Sequence, residues 1–299
     1  MSIAEVPQLN RTPSCGCVTR RWFTQLLAAG AAGASAPAQA AIPECKRSGF
    51  AKAVPADQME QSAQQQYRQM LQQASSQRGL APVDHPQVQR LRDMAERMIP
   101  FAPECNERAR AWRWEVNLIG SPEINAFCMP GGKIGFFYGI LARLQLSDDE
   151  VAVIMGHEIA HALLEHAREQ MGKNTLTQQG LRLGAALLGL GTVGDLAAQM
   201  GSQLLSLTYS RGDESEADAL GLVMSARAGY RPEAGVTLWQ KMMAASGGKA
   251  PPKLLSTHPA SADRIRDIES RLPRMQPLYE AAAKPTRVFG PPPPLKQER

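Results

Sequence analysis

The most constraining feature of the sequence is a capped helix that carries two histidines one turn apart. Residues Ser147-Asp148-Asp149-Glu150 form a capping box, and the apolar pattern after it predicts a helix that runs to about Met171. Within this helix lies His157-Glu158-Ile159-Ala160-His161. Positions i and i+4 share one face of a helix, so both imidazoles are placed to hold one metal ion. The glutamate between them is placed to act as a base on water at that metal.

A metal site of this kind needs a third ligand from the protein. His166 lies nine residues after His157, about 180° around a continuous helix, so we expect His166 to be an exposed or capping residue. A later segment, Glu214-Ser215-Glu216-Ala217-Asp218, offers carboxylates. If this segment is helical, Glu214 and Asp218 share a face, whereas Glu216 points away and is expected to be a solvated charge.

Several motifs together resemble the HtpX and CAAX-prenyl-protease family of zinc metallopeptidases. The resemblance covers about residues 115–270 and is closest to the soluble periplasmic branch, the BepA- and LoiP-like proteins, without a helical-repeat domain. The motifs that carry it are His157-Glu158-x-x-His161, Glu214-x-x-x-Asp218, Asn125-Ala126-Phe127 before Pro130-Gly131-Gly132, and Thr257-His258-Pro259 with Arg264.

The resemblance implies one Zn²⁺ per chain, with His157, His161 and Glu214 as its protein ligands. Asp218, one turn after Glu214, would then accept the spare N–H of a ligating histidine and fix its tautomer. Glu158 would take a proton from the attacking water and deliver it to the departing amine. These assignments predict a zinc metalloendopeptidase, an enzyme that hydrolyses peptide bonds.

The resemblance also places His258 beside the metal, as a further catalytic residue. One role is donation of a hydrogen bond to the tetrahedral oxyanion. A second is occupation of the fourth position on zinc, which would keep the enzyme latent until the loop moves. A third is a purely local hydrogen bond in a His-Pro loop. The sequence leaves these roles open.

The same resemblance implies a fold and a mode of substrate binding. We expect an α+β, mostly helical, zincin-like domain with a small antiparallel sheet and an active-site helix. Substrate would lie extended along the strand at Asn125, Ala126 and Phe127, bound mainly through main-chain hydrogen bonds. This mode predicts a preference for unfolded segments. The implied substrates are misfolded or misassembled envelope proteins, with outer-membrane assembly machinery as a partner left open. The alternative is a chaperone-like assembly factor that binds unfolded clients with little proteolysis.

The first forty residues have the order of an export signal. Arg20-Arg21-Trp22-Phe23 precedes an alanine- and glycine-rich apolar run, and Ala38-Gln39-Ala40 is typical of a cleavage site. The paired arginines favour the twin-arginine route, with a mitochondrial presequence or a disordered tail as the alternatives. We therefore predict a twin-arginine-type signal peptide at 1–40 and a periplasmic location, with association with the outer membrane left open.

The remaining chain is expected to hold the metallopeptidase domain at 41–280 and a proline-rich disordered tail at 281–299. Residues 176–208 are apolar and glycine-rich, typical either of a lid over the cleft or of a buried helical hairpin. After cleavage, Cys45, Cys105 and Cys128 would remain, which allows one disulfide whose pair the sequence does not determine.

Composition argues against two other classes of protein. The net charge of the 299 residues is +5, and aromatic residues are 5% of the chain, which leaves neither a basic surface nor base-stacking platforms for a nucleic-acid partner. No stretch reaches 18 consecutive strongly apolar residues, so we expect no transmembrane span.

Overall fold

Helices make up most of the described chain and surround one small sheet. The computed structural model describes residues 45–187, 204–246, 252–259 and 261–295. The predicted signal peptide and the centre of the 176–208 segment lie outside these residues. The helices are α1 (Ala56–Ser76), α2 (Pro86–Met98), α3 (Ala102–Cys105), α4 (Tyr138–Leu144), α5 (Asp148–Leu163), α6 (His166–Leu187), α7 (Arg211–Arg227), α8 (Ala234–Ala245), α9 (Lys253–Thr257) and α10 (Ala262–Ala281), and the strands are β1 (Glu115–Ile119), β2 (Ala126–Met129) and β3 (Lys133–Phe137).

The three strands form a mixed sheet in the order β1-β3-β2. Strands β2 and β3 are an antiparallel hairpin with Cys128 opposite Ile134, and its turn uses positive φ angles at Gly131 and Gly132. Strand β1 pairs parallel to β3, with Val116 opposite Ile134. The predicted helical α+β fold is confirmed, but the expected antiparallel arrangement is wrong for β1. The turn residues specify the β2–β3 hairpin locally, whereas the pairing of β1 with β3 depends on contacts between segments distant in sequence.

The active-site helix α5 packs directly on α7. Ser147 caps α5 through the predicted capping box, in which its hydroxyl accepts from the backbone N–H of Glu150. Where the two helices cross, a Cβ atom on Gly156 would lie 2.6 Å from the carbonyl oxygen of Gly221. The missing side chains let the two backbones approach closely, which brings the carboxylates of α7 to the histidines of α5.

The predicted helix to Met171 is interrupted two turns earlier. Helix α5 ends at Leu163, Glu165 has a φ of 61°, and α6 begins at His166. The buried side chain of Asn106 donates from Nδ2 to the carbonyl oxygen of Leu163 at 3.0 Å, which holds this break. The expectation of an exposed or capping His166 is wrong, because the 180° separation holds only for a continuous helix. His166 is buried.

Contacts distant in sequence anchor both ends of the described chain. Cys45 and Cys105 form a disulfide across 60 residues, and Cys128 is a buried free thiol. The backbone N–H groups of Phe289 and Gly290 donate to the Asp148 carboxylate. The carbonyl oxygen of Pro292 accepts from Gln145 Nε2, so the C-terminal segment contacts the body at these points, and the disordered tail expected at 281–299 stays a prediction.

Within the described part of the chain, no helix is long and apolar enough to cross a membrane.

Candidate metal centre and active site

Helix α5 presents His157 and His161 on the same buried face. The two Nε2 atoms lie 3.0 Å apart, and both side chains are almost fully enclosed. The i, i+4 spacing explains this convergence, because one helical turn separates the residues. Burial lowers the pKa of the His161 imidazole well below its ordinary value, which favours the neutral form that a metal requires.

Helix α7 brings Glu214 to this pair. Its Oε2 atom lies 3.6 Å from His157 Nε2, and its Oε1 atom lies 3.4 Å from His161 Nε2. Burial alone would raise the pKa of the Glu214 carboxyl, but the His161 and His258 contacts hold it well below its usual range. The Glu216 side chain is 58% exposed and does not join the cluster.

His258, which follows the short helix α9, completes the group. Its Nδ1 atom lies 2.8 Å from Glu214 Oε1 and 3.3 Å from His157 Nε2. Its other nitrogen, Nε2, lies 3.8 Å from Glu158 Oε1. One donor atom from each of His157, His161, Glu214 and His258 lies within 4.8 Å of all the others.

The donor set fits zinc. Tetrahedral zinc bound by nitrogen and oxygen at about 2.0–2.2 Å has donor atoms roughly 3.3–3.6 Å apart, close to the separations found here. Two neutral imidazoles and one carboxylate are a known ligand set of catalytic zinc. In the described chain, this cluster is the one place where such donors converge. Zn²⁺ is therefore the cofactor assigned to the site.

The Nδ1 side of the His157 ring contacts a buried ion pair between Asp218 and Arg264. Its Nδ1 atom lies 3.0 Å from Asp218 Oδ1, a contact through which Asp218 would accept the N–H of this nitrogen. Arg264 of α10 donates two hydrogen bonds to the Asp218 carboxylate, from Nε at 2.6 Å and from Nη2 at 2.8 Å. The Arg264 guanidinium also lies over the Trp239 ring, 3.6 Å from its centroid. Burial would raise the pKa of the Asp218 carboxyl, but Arg264 holds it below its usual value. Asp218 therefore remains an acceptor.

Glu158 faces the cleft rather than the helix packing. Burial raises the pKa of its carboxyl above the ordinary value. Its Oε1 atom is buried and lacks a hydrogen-bond partner among the described residues. A buried carboxylate oxygen without a partner is costly in an ordinary core and is typical of a reactive site.

The cleft in front of Glu158 runs along a sheet edge. The cleft reaches from strand β2 to His258. Asn125 precedes β2, and Ala126 and Phe127 begin it, so the predicted substrate-binding residues all line this cavity. Among the described residues β3 is the only strand that pairs with β2, and an unpaired strand edge is the kind to which an extended peptide can add.

Comparison with known protein families agrees with this site. The model of Peptidase family M48 matches residues 86–272, from the start of α2 into α10. The chain belongs to Peptidase family M48. The match includes both histidines of α5, the carboxylates of α7 and His258.

The curated relatives of this M48 chain carry two kinds of name, a mitochondrial metalloendopeptidase and a β-barrel assembly-enhancing protease. The fission yeast protein "Mitochondrial metalloendopeptidase OMA1" is 39% identical over 176 residues, 57% of this chain and 50% of the relative. The Arabidopsis thaliana protein of that name is 40% identical over 157 residues, 51% and 30% of the two chains. The Escherichia coli O157:H7 "Beta-barrel assembly-enhancing protease" is 32% identical over 174 residues, 54% and 35%. The chain thus spans half or less of these relatives' lengths.

Two residues of the M48 site were not recognised from the sequence. Tyr209 stacks on His161, with ring centroids 4.1 Å apart, and lines the cavity beside His258. His166 contacts the outer nitrogen of His161. The role of Arg264 in holding Asp218 was also missed, since the resemblance indicated only its place in a motif. The sequence carries no local signal for Tyr209 or for the helix break that places His166.

Proposed function

We propose that this chain is a zinc metalloendopeptidase that acts in the bacterial periplasm on misfolded or misassembled envelope proteins. The observation that carries the enzymatic part is the buried Oε1 atom of Glu158, which has no hydrogen-bond partner among the described residues and lies beside a cluster of zinc-type donors on a cleft bordered by strand β2. The names of the M48 relatives support the same activity.

In this proposal each site residue has a defined task. His157, His161 and Glu214 hold zinc, and Asp218 holds His157. When bound, zinc polarises the scissile carbonyl and lowers the pKa of water toward neutrality. Glu158 accepts a proton from the attacking water and delivers it to the departing amine.

The remaining residues position the substrate. The edge of β2 at Asn125, Ala126 and Phe127 binds it through main-chain hydrogen bonds, which favours extended and unfolded segments over folded ones. His258 Nε2 lies 3.8 Å from Glu158 Oε1, so His258 borders the same part of the cleft as the base that acts on the attacking water. We propose that it donates a hydrogen bond to the developing oxyanion.

Glu158→Gln tests the activity. We expect purified protein with zinc to cleave casein and unfolded outer-membrane protein, and Glu158→Gln to keep its zinc while cleavage falls to background. Glu269→Gln, at an exposed glutamate of α10, is the matched control and should cleave normally. Binding of unfolded clients without cleavage by the wild type would instead support the chaperone-like alternative, for which the open β2 edge is sufficient.

The location rests on the signal-like N-terminus and on the bacterial relative, whose name refers to β-barrel assembly. The name of the OMA1 relatives refers to mitochondria, so the compartment needs its own test. We expect the double variant Arg20→Lys, Arg21→Lys to accumulate as uncleaved precursor inside the cell, because the twin-arginine route reads both arginines. Cell fractionation measures this, and normal export of the variant would exclude that route. Crosslinking of Glu158→Gln in cells would show whether outer-membrane assembly machinery is a partner.

A further inference from the structure

The ring of His161 makes contacts on both of its edges. Its Nε2 atom faces the zinc-type donors, and its Nδ1 atom lies 2.9 Å from Nδ1 of His166, a fully enclosed contact. On the far side of His166, Nε2 lies 3.5 Å from Oε2 of Glu216. A continuous row therefore runs from the surface carboxylate of Glu216 through His166 to His161.

The chemistry of imidazole sets the direction of the hydrogen bonds in this row. A neutral histidine that binds metal through Nε2 carries its proton on Nδ1. His161 Nδ1–H must then donate to His166, whose Nδ1 must be the unprotonated acceptor. The proton of neutral His166 is therefore on Nε2, the atom that faces the Glu216 carboxylate. Each donor in the row thus has an acceptor.

We propose that His166 and Glu216 are positioning residues for zinc. His166 fixes the tautomer and ring orientation of His161, and Glu216 fixes the tautomer of His166. This inference rests on the ligand set proposed above. It assigns a role to two side chains that sequence reasoning placed outside the site.

The fold supports this arrangement from outside the cluster. The break between α5 and α6 turns His166 back onto His161, and Asn106 and Arg168 hold the two sides of the break. Arg168 Nη1 donates to Glu165 Oε2 at 2.6 Å, and Glu165 is the residue with φ at 61°. Asp218 contacts the Nδ1 atom of His157 and is itself held by Arg264. In the same way, His166 would contact the Nδ1 atom of His161 and would itself be held by Glu216.

In this geometry His166 is an outer partner of His161 and not itself a metal ligand. Its Nδ1 atom touches the nitrogen of His161 that points away from the zinc-type donors, and His166 is not part of the converging group. Replacing it should therefore weaken zinc binding rather than abolish it. Loss of such an outer partner commonly lowers metal affinity by about 10–100-fold.

A pair of substitutions separates this role from simple packing. His166→Leu removes the acceptor, and we expect zinc affinity, measured by competition with a chromophoric chelator, to fall by about 10–100-fold. His166→Asn places an amide oxygen close to the position of Nδ1, and we expect affinity near that of the wild type. His85→Asn, at the N-terminal cap of α2, is the control. Equal affinity of the wild type and His166→Leu would overturn the proposal, as would an equal loss in His166→Asn and His166→Leu.

The tautomer itself can be measured without any turnover. Long-range ¹H–¹⁵N spectra of the zinc-loaded Glu158→Gln protein should show His161 protonated at Nδ1 and His166 protonated at Nε2. A His166 protonated at Nδ1 would overturn the proposal, because that nitrogen could not then accept from His161. This readout remains available if His166→Leu does not fold.

Glu216 is tested in the same way. We expect Glu216→Ala to lower zinc affinity less than His166→Leu, because its contact is longer and half exposed, and Glu216→Gln to retain affinity. Glu269→Ala is the surface control. Unchanged affinity in Glu216→Ala would remove Glu216 from the row. Failure of the ligand set is distinguishable, since His161→Ala would then keep its zinc, whereas failure of the present inference leaves His161→Ala defective and His166→Leu normal.

Discussion

Buried charge is the main energetic problem at the site. Glu158, Glu214, Asp218 and Arg264 are each less than a tenth exposed. Arg264 contacts both Glu214, at 2.5 Å, and Asp218, so one cation compensates two carboxylates. Removing one partner of such a buried pair typically costs about 3–5 kcal/mol, because it leaves the other charge uncompensated. At Glu158 the cost of burial outweighs the favourable charges of His258 and His157, so the pKa of its carboxyl rises, whereas the contacts of Glu214 and Asp218 hold the pKa values of those carboxyls down.

His258→Ala separates the two chemical roles of that histidine. We expect the variant to retain zinc and to lose about 10²–10³-fold in turnover, because an oxyanion donor is removed. Zinc content and the rate of casein cleavage measure this.

His258 Nδ1 contacts Glu214 and His157, which also fits the second role, occupation of the fourth position on zinc. Retained zinc with equal or higher basal proteolysis would identify His258 as a latency ligand. Normal turnover with only a lower melting temperature would remove it from the active site.

At the level of secondary structure, the crossing of α5 and α7 determines whether Glu214 of α7 reaches His157 and His161 of α5. A Cβ atom on Gly221 would lie 2.6 Å from the backbone nitrogen of His157, so any side chain at residue 221 would push α7 away from His157. The contact involves backbone on both sides, and it cannot be relieved by a change of rotamer.

Gly221→Ala should therefore lower both stability and zinc affinity. We expect a loss of about 1–3 kcal/mol in the free energy of unfolding, the usual cost of overpacking a core. Denaturant unfolding of the zinc-free protein and a chelator competition assay measure the two effects.

Gly212→Ala is the matched control, since a Cβ atom there meets nothing closer than the Ser210 hydroxyl at 3.6 Å. It should be neutral or slightly stabilising. Equal behaviour of the two variants would contradict the close crossing of α5 and α7.

Over the whole molecule, the disulfide is the longest covalent restraint in the described chain. Cys45–Cys105 closes a loop of 60 residues that contains α1 and α2. Residue 106, next to the second cysteine, is the Asn that holds the break before His166. The N-terminal segment is thereby joined to the part of the fold that supports the site.

The double variant Cys45→Ser, Cys105→Ser should unfold at lower temperature. The chain-entropy model gives roughly 4 kcal/mol for a loop of this length, or roughly 8–16 °C in a domain of this size. Thermal melts followed by circular dichroism measure the shift. Reductant should lower the melting temperature of the wild type and leave the double variant unchanged, and identical melts of the two proteins would show that the bridge does not stabilise the fold.

Much of the architecture could be predicted because its signals are local. The capping box before α5 and the apolar pattern that follows it each depend on residues a few positions apart. The pairs His157/His161 and Glu214/Asp218 follow from helical periodicity in the same way. The spacing within α5 and within α7 therefore already determined which side chains of each helix share a face.

Tertiary structure decided what no local signal encodes. The parallel pairing of β1 depends on which edge of the hairpin it meets, and the Cys45–Cys105 pair depends on where the N-terminal segment docks. The break at Glu165 depends on Asn106, which lies 59 residues earlier in the chain. That break turns His166 from a residue on the wrong side of a helix into a neighbour of His161. The sequence by itself determined that His157 and His161 share one face of α5, and long-range contacts decided which residues hold them there.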